Sequence, residues 1–370
     1  MKKSIPYIII AGISLLMLIF PETSIASAKS ALELCRDVIV PSLFPFFVCS
    51  GILIHSGVCR SLSRLLGPVM KPLFNVNGCG AAALVLGTIS GYPQGAITAC
   101  NLYEAGYLSK SEAERLLAFC NNSGPLFVLG VVGVATYASR RVGIVLYISH
   151  LIASLLVGII FRFYKRNTHT APDYAINQPD LCFTEVFAQV LRESVSSILT
   201  VCGAIIFFGV FSGLLIGFLP SNDVIKALVM GIFELSGGNH AIHDADISMT
   251  SKLVMSAFTV GFAGFCVHLQ VAAITARHHL SLVPYIFGKF LHGSLAAILS
   301  LCYLRLFPGK IPVFAGSPSV SAGFFFGSLY SVISMLFFML LAILVIIFSM
   351  RLRKTHIKKY RTKCDISVRR

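Results

Sequence analysis

The apolar run at residues 80–102 is interrupted at its centre by Ser90-Gly91-Tyr92-Pro93-Gln94-Gly95-Ala96. A straight helix cannot continue through this cluster, because proline lacks an N–H and its ring clashes with the preceding turn. In a bilayer a broken helix is tolerated only against protein or a water-filled cavity. Its free N–H groups and helix dipole suit a carboxylate or phosphate. The break is therefore interpreted as a binding site with Ser90 and Gln94 as donors, or as a kink for close helix packing.

The composition of the whole chain places this run in a membrane. Of the 370 residues, 56% are hydrophobic and 12% are charged, whereas soluble proteins contain about 25% charged residues. The formal net charge of +15 would suggest a nucleic-acid partner in a soluble protein. Here the charges collect at the ends of apolar runs, and nine of the thirty Lys and Arg lie at 351–370. We predict an integral membrane protein in contact with lipid and exclude nucleic acid as a partner.

Apolar runs of about 20 residues, long enough to span a bilayer, recur along the chain. The run at 5–20 is either an uncleaved signal anchor, which we favour, or a signal peptide cleaved after residues 26–28. The later runs lie at 38–58, 80–102, 142–163, 195–219, 252–276, 283–307 and 321–350. Because Lys2, Lys3 and the basic tail should all be cytoplasmic, the number of spans should be even. This predicts an all-α polytopic protein with about eight transmembrane helices, and the shorter run at 124–138 becomes a re-entrant helix.

These runs divide the chain into segments. We assign 1–29 to a signal-anchor span, 30–163 to a first repeat, 164–192 to a polar linker, 193–307 to a second repeat, 308–350 to a final transmembrane helix and 351–370 to a basic cytoplasmic tail. Within the first repeat, a capping box from Ser109 to Glu112 predicts a short amphipathic helix at 109–119, lying at the surface.

The two predicted repeats carry the same landmarks in the same order. The glycine-interrupted run at 86–92 is matched by 260–265, and the tetrapeptide Ala-Ile-Thr-Ala occurs at 96–99 and at 273–276. Each repeat ends with a span that carries a histidine, His150 or His292. Since each holds three full spans, an odd number, the second should be inverted relative to the first. Inverted repeats with broken helices in matching positions are typical of secondary transporters, with chance similarity between apolar helices as the alternative.

Two further polar clusters are candidates for the site. His268 and Gln270 follow Gly264 inside a span, where a polar side chain indicates function or an interhelical hydrogen bond. The second cluster, residues 121–125, starts with Asn121, Asn122 and Ser123. With Ser123 as N-cap, it is either the tip of a re-entrant helix or a plain surface cap.

The remaining polar residues give weaker signals. Glu234 is either a proton site or an interfacial residue. Lys289 lies one turn from His292 and either snorkels, pairs with it or contacts an anion. The loop group His240, His243, Asp244 and Asp246 could hold a metal, although a solvated loop is the simpler interpretation. We expect no metal, no cofactor and no enzymatic activity, because no catalytic motif is present.

Several blocks of the chain resemble the YlbJ-type sporulation integral membrane proteins, which carry paired nucleoside-recognition (Gate) domains. The blocks are LFPFF at 43–47, SGYPQGA at 90–96, EAERLLAFCNNSGPLF at 112–127 and GFAGFCVHLQV at 261–271. The resemblance implies a fold related to concentrative nucleoside transporters. It also implies a multi-pass protein of the mother-cell membrane that carries dipicolinic acid toward the forespore. A family lysine that follows the SGYP block is replaced here by Ile97, so Lys289, Arg277 or helix dipoles must supply any positive charge.

We therefore predict a midplane site for a small anion where the two repeats meet, open to each side in turn. Half-helix N-termini at Gly91 and Gly264 would face the two carboxylates, and Tyr92 or Phe265 would stack on the ring. The predicted substrate-binding residues are Ser90, Gly91, Tyr92, Gln94, Asn121, Asn122, Ser123, Gly264, His268 and Gln270, with Arg277 and Lys289 as possible anion partners. The alternatives are a carrier for nucleosides or other small metabolites, and a spore-assembly protein that transports nothing.

Overall fold

The computed structural model describes residues 5–53, 59–166 and 182–307, and every regular element in these ranges is helical. This confirms the predicted all-α class. Two of the elements, Cys35–Ile39 and Leu126–Thr136, are π-helices. The α-helices, in chain order, are α1 (Ile5–Ile19), α2 (Pro21–Leu34), α3 (Val40–Leu53), α4 (Cys59–Phe74), α5 (Gly80–Ser90), α6 (Gln94–Glu104), α7 (Lys110–Cys120), α8 (Arg140–Phe161), α9 (Phe183–Ile216), α10 (Asp223–Phe233), α11 (Leu235–Asp244), α12 (Met249–Phe262), α13 (Gly264–Arg277) and α14 (Val283–Leu306).

Four stretches of helix in the described ranges are long and apolar enough to cross a membrane. They are Arg140–Phe161, Phe183–Ile216, Met249–Arg277 and Val283–Leu306. A fifth is added if the bent pair Ile10–Ile19 and Pro21–Asp37, which meet at 106°, is one span. These stretches confirm a polytopic membrane protein, whereas the predicted total of about eight spans stays a prediction. The predicted span at 321–350 and the basic tail lie outside the described residues.

Two predicted boundaries differ in the structure. The span predicted at 38–58 is the end of a longer helical stretch, in which α2 continues through the π-helix Cys35–Ile39 into α3. The predicted linker at 164–192 ends earlier than expected, because α9 already begins at Phe183. A carboxylate in the first turn of α9, that of Glu185, accepts the Cys182 N–H at 3.3 Å and so supports this earlier start.

The segment predicted to be re-entrant is short. The π-helix Leu126–Thr136 has 11 residues. Even at the α-helical rise of about 1.5 Å per residue, it would cover about 17 Å, against a hydrocarbon core of roughly 30 Å. It therefore does not cross the membrane alone, as the sequence predicted, while its re-entrant course stays a prediction.

Helix α7 lies in the interior of the protein. It forms with the predicted capping box, but its predicted position at the surface is wrong, because every residue from Ser111 to Cys120 is buried. Its charged side chains find partners from distant parts of the chain. Glu112 accepts the Asn77 N–H at 2.9 Å, and Arg115 donates to the carbonyl oxygen of Tyr164 at 2.9 Å. These bonds satisfy groups that would be too costly to bury alone.

Helix α14 packs closely against elements of both predicted repeats. A Cβ atom on Gly288 would lie 2.5 Å from the carbonyl oxygen of Ala118 in α7, so only glycine permits this approach. On α14, His292 lies against His150 of α8 with ring centroids 4.3 Å apart. The imidazole Nε2 of His292 is 2.9 Å from the carbonyl oxygen of His150. The two closing histidines of the predicted repeats therefore meet in the core.

Candidate functional site

The helix break predicted at residues 90–96 is present. Helix α5 ends at Ser90, α6 begins at Gln94, and Gly91 has a φ of +82°, which favours glycine. The backbone of the 121–125 cluster packs directly on this break, since a Cβ atom on Gly91 would lie 2.9 Å from the Gly124 nitrogen. Two of the three predicted clusters are therefore in contact.

A second break separates α12 from α13, at the predicted position before Gly264. Ala263 and Gly264 have φ values of 76° and 65°, both left-handed. The two breaks are linked directly, because the Tyr92 hydroxyl donates to the carbonyl oxygen of Val260 at 3.0 Å. This bond joins residues about 170 positions apart in the chain.

The two asparagines brace the first break. Asn121 accepts the Ala96 N–H on its side-chain oxygen at 3.3 Å. The Asn122 amide donates to the carbonyl oxygen of Phe119 and to the Ser154 hydroxyl, each at 3.0 Å. Both asparagine side chains are fully buried. Their observed bonds hold the backbone of the break in place.

Ser123 does not cap a helix, which corrects the sequence prediction. The π-helix that follows has Pro125 at its N-cap and no side-chain cap bond. Instead, the Ser123 N–H donates to the Nε2 atom of His150 at 3.1 Å. Buried His150 accepts this hydrogen bond, so α8 holds the backbone at Ser123 in place.

Lys289 neither snorkels nor reaches solvent, because it is fully buried. Its ammonium nitrogen donates to the carbonyl oxygen of Asn121 at 3.0 Å and lies 3.1 Å from the Nδ1 atom of His292. Since the Nε2 atom of His292 must donate to a carbonyl, its Nδ1 atom accepts from Lys289. The ammonium also lies 5.3 Å from the centroid of the Tyr92 ring, within cation–π range. Of the three interpretations, pairing with His292 is therefore observed.

A cavity with about 520 Å³ of empty space, which includes space open to solvent, lies between the two breaks. It is lined by Ile39, Leu43, Ser90, Gly91, Tyr92, Ser123, Gly124, Phe127, Val201, Ile205, Glu234, Leu235, Ser236, Cys266, Val267 and Gln270. Polar residues from both predicted repeats thus face one space, within an otherwise apolar wall.

Half of the predicted substrate-binding residues line this cavity. They are Ser90, Gly91, Tyr92, Ser123 and Gln270. Gln94, Asn121, Asn122, Gly264 and His268 are not among the lining residues. Of the possible anion partners, Arg277 is exposed at the end of α13, and Lys289 lies beside Tyr92 without lining the cavity. In the structure, Gly91 and Gly264 therefore do not both face the cavity.

Several polar atoms at the cavity have no bonding partner within the described structure. These include the Ser90 hydroxyl and the side-chain oxygen of Gln270, both buried. Outside the lining, the Nε2 atom of His268 is also without a partner, while its Nδ1 atom lies 2.7 Å from the Gly264 carbonyl oxygen. Buried polar groups are rarely left unpaired in proteins. Ser90 and Gln270 are therefore positioned to bind a polar molecule in the cavity.

Glu234, which the sequence offered as a proton site or an interfacial residue but not as a substrate-binding residue, lines the cavity. It is only 4% exposed, and it begins α11. Its carboxylate accepts the backbone N–H groups of Ser236, at 2.7 Å, and of Gly237. Among the lining residues it alone is charged. The available sequence signal for its place in the site was a carboxylate three residues before a pair of glycines and next to an apolar run.

A separate ionic cluster joins α7 to distant parts of the chain. Glu114 accepts from the Lys165 ammonium at 2.7 Å, from the Tyr164 hydroxyl at 3.1 Å and from the Ser281 N–H at 3.0 Å. Burial by itself raises the pKa of the Glu114 carboxyl, but the bonds that it accepts outweigh burial and lower that pKa. This cluster is distinct from the cavity.

The group considered for a metal was predicted in a loop, but His240, His243 and Asp244 lie in helix α11. His243 and Asp244 approach to 2.9 Å. In the ranges that the structure describes, no three His, Cys, Asp or Glu side chains are grouped so that they could hold a metal ion.

Comparison with known proteins gives two matches. The nucleoside-recognition (Gate) domain matches residues 38–165, which contain the first helix break. Over 314 residues the chain is 32% identical to the sporulation integral membrane protein YlbJ of Bacillus subtilis (strain 168), an alignment that covers 75% of this chain and 77% of the relative. No solved structure matches the chain. A protein this similar over most of both lengths shares the relative's ancestry, and the chain belongs to the YlbJ family of sporulation integral membrane proteins.

Proposed function

We propose that this protein is a membrane carrier for a small, flat, polar molecule, and that its cargo is dipicolinic acid. The observation that supports this function is the cavity between the two helix breaks. This cavity has the character of a small-molecule site, which is a cleft lined mostly by apolar side chains with a few polar groups. Its wall is mainly apolar, with a few polar atoms that have no bonding partner.

The lining residues suit a flat ring that carries polar groups. Tyr92 and Phe127 offer aromatic faces for stacking. The Ser90 hydroxyl donates a hydrogen bond, and the Gln270 amide can donate from its nitrogen or accept on its oxygen. Dipicolinic acid presents two carboxyl groups on one side of an aromatic ring, so one ring and two donor groups would bind it.

In the proposed cycle the cavity opens to one side of the membrane and then to the other. The bond between the Tyr92 hydroxyl and the Val260 carbonyl joins the two breaks, so relative motion of the breaks must stretch it. The relative is a sporulation integral membrane protein, and we propose on that basis a location in the mother-cell membrane around the forespore and transport from the mother cell toward the forespore. We expect transport by alternating access, as in other carriers with broken helices.

Uptake of labelled dipicolinate into proteoliposomes tests this function. We expect saturable uptake that Gln270→Ala reduces by about tenfold, which corresponds to about 1.4 kcal/mol of lost interaction. Gln94→Ala is the matched control, because Gln94 lies at the same break but does not line the cavity. Absence of saturable uptake refutes the proposed cargo, and equal effects of the two substitutions refute the proposed site.

A nucleoside is the second candidate cargo, and one observation favours it. The charged residue that lines the cavity is a carboxylate, Glu234, which suits the hydroxyl groups of a sugar better than an anion. The match to the nucleoside-recognition domain agrees with this choice. The same proteoliposomes, given labelled uridine and adenosine, separate the two: nucleoside uptake that dipicolinate does not inhibit supports the second candidate.

A further inference from the structure

We propose that Glu234 carries the proton that accompanies an anionic substrate, which makes the protein a proton–anion symporter. This inference rests on the proposed carrier function. It assigns a coupling residue and a coupling ion to the cavity.

The first observation is the position of Glu234. Its side chain is 4% exposed and lines the same cavity as Ser90 and Gln270. Both carboxylate oxygens are held by backbone N–H groups at the start of α11, those of Ser236 and Gly237. The carboxylate is therefore fixed at the cavity wall and cannot rotate away from an incoming anion.

The second observation is the lack of a compensating cation among the described residues at the cavity. The lining includes no Lys, Arg or His. The titratable groups that face Glu234 from neighbouring elements are the thiols of Cys35, on the π-helix before α3, and Cys266, on α13. Lys289 is buried but is bonded to Asn121 and His292, outside the lining. A carboxylate substrate would therefore meet a fixed negative charge, unless Glu234 is protonated.

Protonation of Glu234 would convert this repulsion into attraction. One carboxyl oxygen gains a hydrogen and becomes a donor for a substrate carboxylate, while the other still accepts a backbone N–H. The N–H released from the protonated oxygen points from the start of α11, where the helix dipole favours an anion. Each cycle then moves one proton with one anion. The proton leaves Glu234 for water on the far side as the anion departs, and no bond other than O–H is made or broken.

The proteoliposome assay can measure this coupling directly. With the membrane potential clamped at zero, an outside pH one unit below the inside should drive about tenfold accumulation of dipicolinate, because each molecule enters with one proton down a tenfold gradient. A pH dye inside the vesicles should report acidification that begins when dipicolinate is added. Glu234→Gln should abolish both effects. Asp223→Asn, which changes an exposed acid at the start of α10, should leave both unchanged.

A measurement on the wild-type protein guards against misfolding of the variant. Dicyclohexylcarbodiimide reacts with protonated carboxyl groups in apolar surroundings. Mass spectrometry should locate its adduct on Glu234, and added dipicolinate should reduce the amount of this adduct. The inference is overturned if saturable uptake occurs without proton movement, or if Glu234→Gln leaves the coupling unchanged. It is also overturned if dipicolinate does not reduce the amount of adduct formed on Glu234. Absence of saturable dipicolinate uptake would instead refute the proposed cargo, on which this inference rests.

Discussion

The substitution Gly87→Ala tests whether the first helix break is held by backbone contact. Gly87 lies one turn before the end of α5, against the end of α7. A Cβ atom at this position would overlap the carbonyl oxygen of Cys120 and lie 2.7 Å from the Cα atom of Gly95. All of these neighbouring atoms belong to the backbone, so no side chain can rotate to make room. The alanine must push α5 away from α7.

The expected magnitude follows from two opposing effects. Alanine is favoured over glycine inside a helix by about 1 kcal/mol. Overpacking costs about 1–3 kcal/mol, and more where the neighbours cannot yield. Because the contacts at Gly87 are to backbone, we expect the cost to exceed the upper end of that range and the net loss of stability to be about 2 kcal/mol. For a domain of 150–250 residues this lowers the unfolding midpoint by roughly 4–8 °C, and somewhat less in a longer chain.

The chain itself provides the assay. It contains no tryptophan, but several free cysteines are buried, among them Cys100 and Cys120. A thiol-reactive dye, added in detergent after the exposed cysteines have been blocked, reports unfolding as these thiols become accessible. Gly203→Ala in α9 is the matched control, because no atom lies within 4 Å of the added Cβ. We expect its midpoint to be unchanged or raised. A Gly87→Ala protein that unfolds at or above the wild-type midpoint would refute the close approach.

Two further substitutions test contacts that join distant parts of the chain. Tyr92→Phe keeps the ring but leaves the carbonyl oxygen of Val260 without its hydroxyl donor. We expect a loss of about 1–3 kcal/mol in the free energy of unfolding and a lower unfolding midpoint in the same dye assay. An unchanged midpoint contradicts the bond. Glu114 has a pKa below its usual value of 4.5, so its carboxylate contributes stability in full above the unfolded-state pKa and loses it as pH falls through the folded-state pKa. The unfolding midpoint of the wild-type protein should therefore decrease below about pH 4.5. Glu114→Gln cannot ionise and pairs less well with Lys165, so its midpoint should be lower at pH 7 and should decrease less at acidic pH. Parallel pH profiles of the two proteins contradict the assignment.

The helix breaks could be predicted from the sequence because local chemistry determines them. Proline at 93 restricts the backbone, and glycine at 91 and 264 permits the positive φ values found there, whatever surrounds them. The same holds for the capping box of α7, which needs only residues three apart. Features that depend on only a few neighbouring residues were therefore predicted at the positions where the structure has them.

Burial of α7 could not be predicted, because it depends on partners far along the chain. Three charged residues within two turns, Glu112, Glu114 and Arg115, predict a helix face that is exposed to solvent. In the structure each of these side chains bonds to a group at least 35 positions away. Spacing along one helix contains no information on such contacts, so the surface position was the natural and wrong expectation.

The sequence could not show which residues of a break line the cavity, for a related reason. Ser90 and Gln94 both belong to the first break, but the chain turns between them, and Ser90 faces the cavity whereas Gln94 does not. Periodicity along a helix cannot assign faces across a break. The sequence singled out Glu234 but could not place it beside Ser90 and Gln270, since it reaches the cavity only through the packing of α10 against α9 and α13.

The charges around the cavity decide what an anionic cargo requires. A ring stacked on Tyr92 lies about 3.5 Å from it, and the Lys289 ammonium is 5.3 Å from the Tyr92 centroid. On opposite faces, ring and ammonium are about 9 Å apart, which gives an attraction of about 2 kcal/mol per unit charge at an effective dielectric constant of 20. A carboxylate in contact with ionised Glu234, about 4 Å away, is repelled by about 4 kcal/mol. Repulsion exceeds attraction, so Lys289 alone cannot admit an anion, and protonation of Glu234 removes the larger of the two effects.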